Sequence, residues 1–130
     1  MSKFKIVGMI ALIAFAVSGE GVLTFAGEPN VHHVVLLNLK DGATPQQVEE
    51  MITVGKALLS KIPGVLEVSF GKKAREDRPV HIKDYDYAIY VKWENNGTGN
   101  VYGPHILHQT LLKLYGPLFT RLRIIDFYGN

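Results

Sequence analysis

Nine residues, Val31 to Leu39 (V-H-H-V-V-L-L-N-L), constrain this chain more than any other stretch. They are apolar on both parities. A strand sends alternate side chains to opposite faces, so a strand that is apolar on both must be covered on both. The run therefore predicts a central strand. His32 and His33 are neighbours within it and face opposite sides, so they do not act together.

The segments after Leu39 supply the cover. Lys40-Asp41-Gly42 is a turn. Thr44-Pro45-Gln46-Gln47 opens a helix, with Thr44 as N-cap, Pro45 at the first helical position and Gln47 completing a capping box. Val48, Met51, Ile52, Leu58, Leu59 and Ile62 form its buried stripe, and Pro63-Gly64 is expected to end it. Gly55 costs ~1 kcal/mol against alanine in mid-helix, which points to close packing there. Val65 to Phe70 reads as a second strand, with Leu66, Val68 and Phe70 on one side. Gly71 to Lys83 is a charged, solvated loop that also holds His81. Tyr85, Tyr87, Ile89, Val91 and Trp93 share one parity of a third strand, and Asp86, Ala88, Tyr90 and Lys92 the other. Asn95 to Gly99 is expected to be a loop. From Pro104 to Pro117, Ile106, Leu107, Leu111 and Leu114, continued by Leu118, recur at three- and four-residue steps, the pattern of one short helix. Arg121 to Phe127 is a final strand.

The order β-α-β-β-α-β predicts an α+β, ferredoxin-like fold: a four-stranded antiparallel sheet with both helices on one face. Two helices leave the other face bare, and Ala88 and Tyr90 make it too apolar for water. A homodimer with two sheets packed face to face, a dimeric α+β barrel, is the economical solution.

Residues 1–26 are expected to be a secretory signal peptide. Lys3 and Lys5 precede an apolar run from Ile6 to Val17. Ser18 to Gly21 break that run, and Thr24-Phe25-Ala26 offers a cleavage site before Gly27. A membrane span needs ~20 apolar residues, and Glu20 interrupts this stretch too early. The chain from Gly27 to Asn130 is then one small domain, secreted or periplasmic, with no stable membrane anchor after cleavage. It has no cysteine, hence no disulfide, thiol chemistry or lipidated thiol. Past residue 26 there are 12 basic and 11 acidic residues, which gives no electrostatic case for nucleic acid.

The segment from Val101 to Phe119 concentrates the chemistry-bearing groups. His105 and His108 are three apart on one side of the expected helix. Tyr102 precedes Gly103-Pro104, where a turn folds its hydroxyl back toward His108. Imidazole titrates near neutral pH, which suits a general base, and a phenol stays neutral and donates. His105-x-x-His108 with His33 is a weak metal pattern, with no carboxylate beside it in sequence. No metal and no cofactor is expected. The stripe of Tyr85, Tyr87 and Trp93 is expected to be core, with Tyr87 bordering the cavity.

Several of these stretches together resemble a family. A histidine, an apolar run and a lysine lead into Asp41-Gly42-Ala43-Thr44 and a helix. Lys61-Ile62-Pro63-Gly64-Val65, Tyr85-Asp86-Tyr87-Ala88, paired histidines three apart and Ile124-Ile125-Asp126-Phe127 come after it in order. The chain from Val31 to about Tyr128 is similar to the stress-responsive α/β-barrel (Dabb) domain family. That resemblance implies a dimeric α+β barrel. The family includes plant polyketide cyclases that close a ring by aldol condensation without a cofactor. In these a tyrosine precedes, by six residues, the second histidine of a His-Pro-x-His motif, as Tyr102 precedes His108. A histidine near the start of the first strand lines the cyclase cavity, and His33 matches it. The motif here departs from the pattern: it reads Pro104-His105-Ile106-Leu107-His108, with the proline ahead of the first histidine.

The expectation is an exported protein binding a small organic molecule in a cavity between sheet and second helix. His108 and Tyr102 would be catalytic, and His33, Tyr87 and His105 would contact the substrate. The competing reading is a non-catalytic dimer serving a stress or structural role. Geometry discriminates: catalysis needs Tyr102 and His108 converging on an open apolar cavity, and the alternative needs that space filled by Ile106, Leu111 or Phe119. A monooxygenase on a similar barrel has no specific residue in its favour.

Overall fold

The computed structural model describes residues 27–129. The signal peptide expected over residues 1–26 lies outside the described residues. The elements are β1 (Val31–Leu39), α1 (Pro45–Leu59), β2 (Val65–Lys72), β3 (Tyr87–Trp93), α2 (Asn96–Tyr102), α3 (Ile106–Tyr115), a 3₁₀ turn (Gly116–Leu118) and β4 (Phe119–Tyr128). The strands form one antiparallel sheet in the order β2-β3-β1-β4. β1 sits inside the sheet, as its two-sided apolar run requires. This is the ferredoxin-like plan with one helix more than the sequence suggested.

The core lies between one sheet face and the helices. Val31, Val35 and Leu37 of β1 and Ile89, Val91 and Trp93 of β3 are buried against Val48, Met51 and Leu59 of α1 and Leu111 and Tyr115 of α3. Thr44 caps α1 reciprocally: its Oγ1 accepts the Gln47 N–H at 3.1 Å, and its own N–H donates to Gln47 Oε1 at 2.9 Å. Gly55 packs close, since a Cβ there would stand 2.6 Å from the Phe70 ring. The opposite face carries Val34, Leu36, Ala88, Tyr90, Ile125 and Phe127, and among the described residues no helix lies over it.

Five local expectations need correction. α1 ends at Leu59, before Pro63-Gly64, because Ser60 caps it and the chain then turns through Gly64 at φ 89°. Leu66 falls at a bulge between Val65 and Glu67, and it is 55% exposed rather than aligned with Val68 and Phe70. β3 starts at Tyr87, leaving Tyr85 ahead of it. The stripe of the later helix runs through Leu111 and Tyr115, while Ile106 and Leu114 are exposed. Pro104 stands before that helix, and His105, not the proline, marks its start.

Gly64 offers a stability test. A Cβ there would meet Thr98 Oγ1 at 2.5 Å, on a backbone that L side chains rarely adopt. Gly64→Ala is expected to cost at least ~1–3 kcal/mol through backbone strain, read as a lowered urea midpoint. Gly71→Ala, where the added Cβ meets nothing within 4 Å, should barely move it.

Candidate functional site

α2 (N-G-T-G-N-V-Y) contains two glycines and two asparagines, all poor helix formers, which is why this stretch reads as a loop. Packing overrides propensity. Asn95 caps the helix, accepting the Thr98 N–H at 3.2 Å. Thr98 fills the space over Gly64, and Gly99 lies flat on the Trp93 ring, where a Cβ would come within 2.7 Å. The helix is glycine-rich because it must lie that close, and its last residue, Tyr102, is thereby driven into the core at 5% exposure.

Gly103-Pro104 then breaks the chain direction. His105 takes an extended backbone, and its Nδ1 accepts the Leu107 N–H at 3.1 Å, so its imidazole caps α3. Pro104 has no N–H to offer, and the Gly103 carbonyl is met instead by two side chains. His108 Nδ1 approaches it at 2.9 Å and Gln109 Nε2 at 2.8 Å. Only an N–H can donate to a carbonyl, so His108 is protonated on Nδ1 and its Nε2 carries a free lone pair.

The break brings the Tyr102 and His108 rings to 4.6 Å between centroids. His33, on the core face of β1, completes the group. Its ring stacks on Trp93 at 4.5 Å and meets the edge of Tyr102 at 5.5 Å. Its Nδ1 lies 2.6 Å from Asp126 Oδ1, on the β4 residue directly opposite. A carboxylate only accepts, so the His33 Nδ1–H donates to it.

His33, Tyr102 and His108 line one cavity of about 260 Å³, otherwise walled by apolar side chains including Val35, Leu111, Phe119, Leu122 and Ile124. Leu111 and Phe119 form walls and do not fill it. Burial pushes the Tyr102 phenol well above its usual range, so it remains a neutral donor. Burial also lowers the His108 pKa. The Gly103 carbonyl opposes that shift, and His33 reinforces it. The site thus pairs an unprotonated imidazole nitrogen with a phenol that keeps its proton, in apolar surroundings. In chemical terms, such a pair is able to take a proton beside a carbonyl and to donate to the oxygen where charge develops.

The lowered His108 pKa carries a pH signature. The fold favours the neutral ring, so this stability is fully present above the ordinary histidine value of ~6.5 and is lost as pH falls through it toward the folded value. Acidification from about pH 7.5 to 5 should therefore lower the melting temperature of the native chain more than that of His108→Gln, measured side by side.

Of the residues expected at the site, the structure brings together His33, Tyr102 and His108. Tyr87 stands near the other end of β3, with Lys72 and Asp86, away from this cavity. His105 is engaged in capping α3 and does not line the cavity. Asp126, Trp93 and the Gly103 carbonyl were not expected in these roles. Asp126 is found only through the β1–β4 register, which no local pattern in the sequence reveals. Among the described residues no three ligand-type side chains gather closely enough to hold a metal.

A family model described as the Dabb stress responsive A/B barrel domain matches residues 31–128. No curated protein sequence gives a significant match. Among solved structures, a dimeric ferredoxin-like protein of unknown function from Thermobifida fusca is 24% identical, with 78% of this chain and 92% of that chain covered and a TM-score of 0.66. A Dabb family protein from Mesorhizobium loti is 18% identical, with coverage of 79% and 99% and a TM-score of 0.65. Hydroxynitrile lyase from Passiflora edulis is 16% identical, with coverage of 80% and 96% and a TM-score of 0.67. At these identities the likeness shows the fold.

Proposed function

The chain belongs to the Dabb family of stress-responsive A/B barrel domains, and from that premise we propose that it binds a compact carbonyl compound between its sheet and α3 and acts on it by cofactor-free acid–base chemistry. One observation carries the reading: His108, its Nδ1 held on the Gly103 carbonyl, and Tyr102 line the same apolar cavity with their rings 4.6 Å apart. His108 takes the proton from the carbon beside the carbonyl. Tyr102 donates to the developing enolate oxygen. His33, oriented by Asp126, holds the substrate's second polar group. An enolate so formed adds to a second carbonyl, and the resulting alkoxide takes back the proton held by His108; in the reverse sense His108 takes the hydroxyl proton, the C–C bond breaks and the enolate regains that proton, which is aldol-type chemistry. The lyase with the same fold lends analogy only.

The test is deuterium uptake. Aryl ketones and β-ketoesters incubated in D₂O with the protein should exchange the hydrogens beside the carbonyl faster than with buffer, followed by proton NMR. No acceleration across such a series would leave the non-catalytic reading, a dimer that binds without turnover. A homodimer is the expected assembly, in keeping with the dimeric Thermobifida relative. The chain is also expected to be exported. Its intact mass from the native host should then begin at Gly27, and a mass retaining Met1–Ala26 would count against export.

A further inference from the structure

The cavity lacks a wall. Leu122 and Ile124 line it, yet they are 44% and 55% exposed, so they stand at its mouth. Both belong to β4, an outer strand of the sheet, whose far edge has no strand paired to it among the described residues. On the other side of the same strand, Ile125 and Phe127 are 52% and 51% exposed. The apolar surface therefore wraps around the edge of β4, from the cavity mouth to the bare sheet face.

A long apolar edge of this kind is a pairing and aggregation hazard unless something covers it. β4 runs ten residues with no proline or glycine. Two of its charges, Arg121 and Arg123, are tied to Asp84 rather than guarding the edge. A solved relative of the same fold is dimeric. A partner seated only on the bare face would cover Ile125 and Phe127 and leave Leu122 and Ile124 wet.

We propose that a second copy of this chain wraps the β4 edge and supplies the missing wall of the cavity, so that the site is closed only in the dimer. This deepens the reading of the cavity as a ligand site and rests on it for its functional meaning. Assembly then controls access: the lone protomer holds an open trough, and the dimer a chamber that excludes water from His108 and Tyr102.

The chain from residue 27 onward has no cysteine, so one introduced thiol reports on one place. Ile124→Cys puts it at the mouth. Leu114→Cys, on the exposed side of α3 at 55% exposure, is the reference. Each variant is treated with an uncharged maleimide at concentrations spanning the dimer–monomer transition, followed by sedimentation. The mouth thiol should react at least tenfold more slowly than the reference in the dimer and match it in the monomer. Leu36→Glu, on the bare face and off the cavity, should abolish the protection by splitting the dimer. If Ile124→Cys does not fold, Leu122→Cys serves in its place. Equal rates in a verified dimer, or a chain that stays monomeric at every concentration, would overturn the proposal. The labelling needs no substrate, so either result is separable from failure of the deuterium-uptake test.

Discussion

His108→Gln is expected to lower turnover by about 10²–10⁴-fold, the usual worth of a positioned general base, while the protein stays folded. A catalytic histidine is often hard to separate from a structural one, because removing either leaves a partner unsatisfied. Here the separation is available. The carbonyl that holds the His108 ring belongs to Gly103, and it keeps a second donor, Gln109 Nε2 at 2.8 Å, when the imidazole is gone. His108 is itself only partly buried. Glutamine fills a similar volume without a base of comparable strength. The urea midpoint should thus shift by no more than ~0.5 kcal/mol, the range of substitutions that disturb no core or network. Tyr102→Phe keeps the ring against Trp93 and His33 and removes only the donor. It should cost ~10²–10³-fold, as for one oxyanion donor. A stability loss with unchanged turnover in His108→Gln would make the histidine structural.

Leu37→Ala is expected to cost about 2–5 kcal/mol, a large part of what holds a domain of this size together. Leu37 is fully buried at the middle of the sheet, opposite Tyr87 on one side and Leu122 on the other. Its backbone carbonyl also accepts the Asp86 N–H at 2.9 Å, which fastens the entry to β3. Leu36→Ala, one residue away on the bare face, should instead weaken self-association more than folding. Urea melts at two protein concentrations distinguish the two effects. A concentration-independent loss of similar size at both positions would contradict the assignment of the two faces.

The framework of this fold was legible because it rests on local, periodic signals. Val31 to Leu39 declared a central strand, and Thr44 to Gln47 declared a capped helix; both stand where expected. What eluded the sequence depended on contacts between distant segments. α2 is a helix in spite of its glycines, since Gly64 and Trp93 give it surfaces to lie on. Leu66 turned outward because a bulge shifted the strand by one residue. Tyr102 and His108 were legible as a pair through the Gly103-Pro104 break between them and through the spacing that the family resemblance implied. The carboxylate behind His33 was not, because Asp126 arrives through strand pairing 93 residues away. His105 was misplaced as a substrate contact for a related reason: with Pro104 ahead of it, the helix begins at the histidine itself, and its ring turns back on the Leu107 N–H.

The measurement that bears most directly on the site is the protonation of His108 in the folded protein, by long-range ¹H–¹⁵N correlation of imidazole-labelled chain across a pH series. The bond to the Gly103 carbonyl predicts the Nδ1–H tautomer, with Nε2 unprotonated, and burial predicts titration below the ordinary histidine value. An Nε2–H tautomer at neutral pH, or titration above that value, would leave no base facing the cavity and would contradict a catalytic role for His108.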